Sequence, residues 1–183
     1  MTTRNIVNKK NYMCMENKQA LPALSFGEAL KSTWQNITNF GGRARRSELW
    51  WSFLVYVAAT VISALITPDA YVLTAISLAL YVWIAAVTVR RLHDHGHSGW
   101  WVAAAVAFSV VQNVYATASG MTEILQAANV SPDDIIEVFS SPVYLVCSIG
   151  GMVCNIAILI FCLQDSTPAE NKYGLSPKYI TEG

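Results

Sequence analysis

Residues 49–89 read LWWSFLVYVAATVISALITPDAYVLTAISLALYVWIAAVTV, and one charge, Asp69, interrupts them. The apolar core of a bilayer takes roughly 20 residues as a helix. Leu49–Pro68 and Ala70–Val89 each reach that length without a charged side chain. The Thr67-Pro68-Asp69 turn between them is short enough only for a tight hairpin. Two further stretches follow. Trp100–Thr122 is uncharged but softer, with Gln112 and Asn113 inside it, and Pro142–Leu163 is the core of another uncharged run. The pattern predicts an all-α integral membrane protein with four transmembrane helices, at about 49–68, 70–89, 100–120 and 142–163. Residues 25–180 are then a single four-span membrane domain, preceded by a flexible tail over 1–24.

Composition agrees. Of the 183 residues 54% are hydrophobic and 13% charged, about half the charged share of a soluble globular chain. A polar stretch precedes the first span without the short apolar region and small-residue cleavage site of a signal peptide, so the first span is expected to stay as an anchor.

The basic residues predict the orientation. All 12 Lys and Arg lie in residues 1–48, in the 90–99 connection or in the 164–183 tail, which four crossings put on one side. The opposite side holds the 68–69 turn and the 121–141 loop, which is acidic through Glu123, Asp133, Asp134 and Glu137. Basic loops stay in the cytoplasm, so both termini are expected there. Trp50, Trp51, Trp100 and Trp101 mark the headgroup level.

Before the first span, SFGEALKSTWQNITNF (25–40) carries Ser25 and Glu28 at capping-box spacing. Phe26, Leu30, Trp34 and Ile37 follow at helical spacing, with Ala29 and Thr33 beside them. This predicts an amphipathic N-terminal helix at the membrane interface, ended by Gly41-Gly42. In the far loop, Ser131-Pro132-Asp133-Asp134 reads as a helix start. Gly150 and Gly151, each four residues before Cys154 and Asn155, suit close helix packing. Asn155 is expected to bond a backbone carbonyl or a Ser on another helix. The four cysteines, Cys14, Cys147, Cys154 and Cys162, read as packing residues rather than a disulfide framework.

The chemistry-bearing residues gather at the inner ends of the spans. Arg43, Arg46 and Glu48 lead into the first; Arg90, Arg91, His93 and Asp94 close the second. Spacings of three and four allow neighbour contacts, and a network is expected in which the arginines share Glu48 and Asp94. Two readings stay open: the network fixes the helix ends, or some of its arginines bind an anion, a lipid headgroup foremost. His93, His95 and His97 invite a zinc site, but Gly96 and Gly99 weaken the helix that would align them and no Cys or Glu stands at ligand spacing. No metal and no cofactor is expected. Ser98 and Gly99 read as the start of the helix at Trp100.

Three stretches carry a family resemblance: FGGRARRSELWW (40–51), RRLHDHGHSGWW (90–101) and ENKYGLSPKY (170–179). In this order they resemble the conserved segments of the bacterial inner-membrane family called domain of unknown function 805, the YhaH-like proteins. The matching positions are Gly42, Arg43, Arg46, Glu48, Arg90, Arg91, His93, Asp94, Gly96, Ser98, Gly99 and Trp100, then Asn171, Tyr173, Gly174 and Pro177. His95 and His97 fall at free positions, and Leu175 stands where a Pro is usual. The resemblance implies a multi-pass plasma-membrane protein and brings no activity, substrate or cofactor. The expected function is non-enzymatic: binding an anionic lipid headgroup or a protein partner at a charged cytoplasmic rim, in a homo-oligomer or with another membrane protein, and not a nucleic acid. The competing reading is a small-solute transporter, or a membrane enzyme using His93 and Asp94.

Overall fold

A computed structural model describes residues 18–67, 70–120, 124 and 131–181. Within them the order is β1 (Lys18–Ala20), α1 (Phe26–Gln35), α2 (Arg46–Ile66), α3 (Ala70–Asp94), α4 (Trp100–Ala118), α5 (Pro132–Ser140), α6 (Pro142–Leu163) and β2 (Tyr179–Thr181). Among the described residues, three helical stretches are long and apolar enough to cross a membrane: Arg46–Ile66, Ala75–Asp94 and Pro142–Leu163. The fold is a multi-pass α-helical membrane fold. The fourth expected span is shorter: α4 is apolar over Trp100–Ala116, about 25 Å of helix at about 1.5 Å per residue, against a bilayer core of about 30 Å.

The chain divides into two compact units, Met1–Gly99 with Phe161–Gly183, and Trp100–Ile160. In the first, α1 begins at a complete capping box. The Ser25 hydroxyl accepts from the Glu28 amide and the Glu28 carboxylate accepts from the Ser25 amide, satisfying donors that the helix start leaves open. Hydrogen bonding to Ser25 holds the Glu28 carboxyl below the usual range. The face that α1 buries is its small one. Ala29 and Thr33 are fully buried, and Thr33 and Ser52 hydroxyls meet at 2.7 Å, so α1 lies close on α2. Phe26 packs edge-on to Trp51 at 5.4 Å, while Trp34 stays 72% exposed. The helix ends at Gln35 with Asn36 as its cap, five residues before the expected Gly41 stop, because the Asn36 side chain folds back onto the Ser32 carbonyl.

Two boundary shifts matter for the site. α2 begins at Arg46, which puts Glu48 in its first turn. α3 runs past Val89 to Asp94, so Arg90, Arg91, His93 and Asp94 all stand on helix. It then stops in a Schellman turn: His97 N–H bonds the Leu92 carbonyl at 3.0 Å and Gly96 N–H the His93 carbonyl at 2.9 Å. Gly96 supplies the left-handed conformation that this turn requires, with φ +74°.

Of the tail expected over 1–24, residues 1–17 lie outside the described residues. Its end is not loose: Lys18–Ala20 pairs antiparallel with Tyr179–Thr181, Gln19 opposite Ile180. Three residues are too few to show an alternating pattern, so neither strand is visible in the sequence. The Pro68-Asp69 turn, Cys14 and residues 121–123 and 125–130 of the 121–141 loop also lie outside the described residues; α5, in the same loop, starts at Pro132 as its sequence predicts.

In the second unit, α4 and α6 meet where Gly150 makes room for the Phe108 ring. A Cβ on Gly150 would stand 2.7 Å from the Phe108 ring, and the Gln112 amide donates to the Ser148 hydroxyl at 2.9 Å. Cys147 and Cys154 are buried and free. Asn155 bonds the Gly151 carbonyl of its own helix, not another helix, since the carbonyl four residues back is within reach of a short amide. Gly150→Leu is expected to lower the folded yield in detergent, and Phe108→Ala to restore part of it. Equal yields of Gly150→Leu with and without Phe108→Ala would mean that the two sites are not in contact.

Candidate functional site

The expected rim residues resolve into a closed network, an open ion pair and one outlier. At the centre of the network is Asp94, on the last turn of α3 and fully buried. Its Oδ1 accepts from Arg43 Nε at 2.7 Å and its Oδ2 from Arg91 Nη1 at 2.5 Å. The Arg91–Asp94 contact is the i,i+3 pair that the spacing allowed. The Arg43 contact joins residues 51 apart in sequence.

One carboxylate cannot neutralise two guanidiniums, and backbone carbonyls supply the rest. Arg43 gives Nη1 to the Ala169 and Gly174 carbonyls and Nη2 to the Thr167 carbonyl and hydroxyl. All five of its donors are thereby engaged. Arg91 donates to the Ala44 and Cys162 carbonyls, to the Ser166 hydroxyl and, through Nη2, to the Gln164 carbonyl. Cys162 is in the last turn of α6, which carries no basic residue of its own. Arg91 therefore brings a cation to the negative end of that helix.

The segment after α6 closes over the network. The Asn171 amide donates to the His93 and Asp94 carbonyls at 2.9 and 3.3 Å, and the Thr167 hydroxyl to the Asp94 carbonyl. Asn171 and Gly174 exchange backbone hydrogen bonds in a tight turn, with Gly174 at φ +111°. That turn lays Tyr173 flat on His93, rings 3.6 Å apart and 7° from parallel. His93 Nδ1 donates to the Gly42 carbonyl at 3.2 Å. In the sequence, Asn171, Tyr173 and Gly174 stand out only as letters of the family motif, and that motif is the one signal of their role.

The three histidines do not converge. His93 faces Tyr173, His97 stacks on Phe161 at 3.8 Å, and His95 Nε2 accepts from Arg91 Nη2 at 3.5 Å. Among the described residues no three His, Cys, Asp or Glu side chains group as metal ligands. Gly99 packs so tightly that a Cβ would lie 2.8 Å from Val89, and the next helix starts at Trp100.

Arg90 and Glu48 form the open pair. Nη1 lies 2.9 Å from Oε1, with both side chains 5% exposed. Arg46 stands outside both groups, exposed at the first turn of α2. It lines a cavity of about 290 Å³ with Asp165 and Lys178. Lys178 bonds both oxygens of Asp165 at 2.6 and 2.7 Å, holding that carboxyl below its usual range while its own ammonium is pushed up. Arg45 donates to the Pro177 and Pro22 carbonyls and ties both ends of the unit to α2.

Asp94→Asn is expected to cost about 3–5 kcal/mol, the penalty for leaving buried partners of an ion pair uncompensated, read as loss of folded protein in detergent. Near-normal stability would mean that the carbonyl acceptors alone hold Arg43 and Arg91. His95 titrates below the ordinary histidine value of 6.5 because burial, then the Arg91 charge, disfavours imidazolium. Its neutral form is the one that accepts from Arg91, so this stabilisation is complete above about pH 6.5 and is lost as pH falls. The unfolding midpoint of His95→Gln should fall less than that of the unaltered protein between about pH 7 and 5; parallel curves would exclude the contact.

Comparison with known proteins places these residues in a family frame. The family model described as protein of unknown function DUF805 matches residues 37–175. The chain is 24% identical over 153 residues to the inner membrane protein YhaH of Escherichia coli strain K12, covering 79% of this chain and 91% of that one. The YhaH protein of Escherichia coli O157:H7 matches equally. No solved structure matches.

Proposed function

The chain belongs to the DUF805 family, and from that premise we infer that it is a small multi-pass protein of the bacterial inner membrane that binds an anionic lipid headgroup or a protein partner at a charged cytoplasmic rim. Four crossings with both termini in the cytoplasm fit the basic residues best. The positive-inside rule accounts for all 12 Lys and Arg only if α4 also crosses.

The observation that carries the binding reading is the charge balance of the first unit. Arg43, Arg45, Arg46, Arg90 and Arg91 stand at one end of α2 and α3, and the carboxylates paired with them are Asp94 and Glu48. The closed network absorbs Arg43 and Arg91. The remaining arginines keep a surplus of positive charge where the inner leaflet presents anionic lipids, each basic residue gaining about 1 kcal/mol there. The same geometry weakens the enzymatic alternative: the Asp94 carboxylate is held by two arginines and His93 by Gly42 and Tyr173. Both groups hold backbone in place.

Two measurements check this reading. Mass spectrometry of the protein released from native membrane should show anionic lipid enriched above its share of that membrane, or a bound protein; neither would remove the proposal. In a cysteine-labelling experiment on a Cys14→Ser background, Lys172→Cys should react only from the cytoplasmic side and Asp133→Cys only from the outside. Labelling of both from one side would reject four crossings.

A further inference from the structure

Arg43 and Arg91 use their donors; Arg90, the neighbour of Arg91 in sequence, does not. The Arg90 side chain is 5% exposed and its ionic contact with Glu48 is made through Nη1. Its Nε and Nη2 are buried without a hydrogen-bond partner among the described residues. These two donors form one edge of the planar guanidinium, and their N–H bonds run parallel, at the spacing of two oxygens on a single anion. Burying such a pair unsatisfied is costly, so an anion that drew this edge of the guanidinium into the cavity beside Arg90 would relieve that cost.

Arg90 lines a cavity of about 340 Å³ between the end of α1, the 39–42 turn and the inner ends of α2 and α3. Arg43, Arg45 and Glu48 line it too, three arginines against one carboxylate. The wall contributed by α1 is polar and neutral, through Ser32 and Asn36. Arg43 has its five donors engaged elsewhere, so it contributes charge and no hydrogen bond. The volume is at the lower end of the range for small-molecule sites.

We propose that this cavity binds a phosphate group, as a lipid headgroup carries it, with two phosphate oxygens on Nε and Nη2 of Arg90. This deepens the headgroup reading above and rests on it. A carboxylate has two oxygens, and the Arg90 edge would use both. A phosphate keeps further oxygens for Arg45, and the Ser32 hydroxyl on the α1 wall suits the alcohol esterified to it. Phe40, exposed beside the cavity-lining Asn39 and Gly41, gives an acyl chain an apolar contact at the same level.

The test is a titration of the full chain, purified in detergent and stripped of lipid, with short-chain phosphatidylglycerol and separately with inorganic phosphate, read as the rise in unfolding midpoint. Phosphatidylglycerol is expected to stabilise the protein. Arg90→Lys, which keeps the charge but not the two-donor edge, should bind it about tenfold or more weakly. Ser32→Phe, which fills the cavity from the opposite wall, should weaken it similarly and decides the matter if Arg90 variants do not fold. Lys172→Gln, on the exposed tail, should leave affinity unchanged. Stabilisation by inorganic phosphate equal to that by phosphatidylglycerol assigns the site to a free phosphate; stabilisation by the lipid alone assigns it to a headgroup. If Arg90→Lys and Ser32→Phe bind like Lys172→Gln, the cavity is not the site while headgroup binding at the rim stands. If the unaltered protein binds no phosphatidylglycerol and no phosphate, both fall.

Discussion

The first unit is organised around one carboxylate. Asp94 is fully buried at the end of α3, where an unpaired charge would be intolerable. Its two oxygens take one guanidinium each, from the α1–α2 connection and from its own helix. The excess positive charge that results is met by carbonyl dipoles, most of them in the segment after α6. Removing the carboxylate would therefore strand two arginines, while removing Arg43 would take a donor from the Thr167 and Ala169 carbonyls and removing Arg91 one from those of Ala44 and Cys162. An ion pair so deeply placed contributes little net stability against an apolar replacement. Its effect is to fix which segments meet, since few arrangements satisfy that many polar groups at once.

Helix geometry explains how adjacent arginines take different tasks. Neighbouring residues on a helix point about 100° apart. On α3 that angle aims Arg91 at the end of α6 and the closing segment, and Arg90 at Glu48 on α2. The same offset sends the His93 ring to Tyr173 and lets Asp94 reach Arg43. The last turn of α3 is thus a hub: one side closes the fold and the other borders the cavity.

What could be read from sequence follows the range of the interaction. The Ser25–Glu28 box, the Pro132 start and the Arg91–Asp94 pair each involve residues within four positions, and the pattern of residue types specifies them. The apolar runs named the long helices for the same reason. The Arg43–Asp94 bond, 51 residues apart, leaves no local pattern. Nor do the acceptors of Arg43, because every residue owns a carbonyl and Thr167, Ala169 and Gly174 advertise nothing through their side chains. The expectation that the arginines share both acids holds for Asp94; Glu48 is paired with Arg90, because Arg45 turns away to Pro177 and Pro22.

The pairing of Arg90 with Glu48 also bears on how a ligand would be held. A guanidinium with no counter-charge would be hard to keep buried at 5% exposure; Glu48 supplies that counter-charge whether or not an anion is present. Once an anion occupies the Nε–Nη2 edge, its charge and that of Glu48 repel across one guanidinium. Arg45 and the partly shared charge of Arg43 offset this from the cavity wall. Glu48 would therefore stabilise the empty state and weaken a filled one. A neutral residue at position 48 should reverse that balance, leaving the protein harder to fold without a ligand and slower to release one.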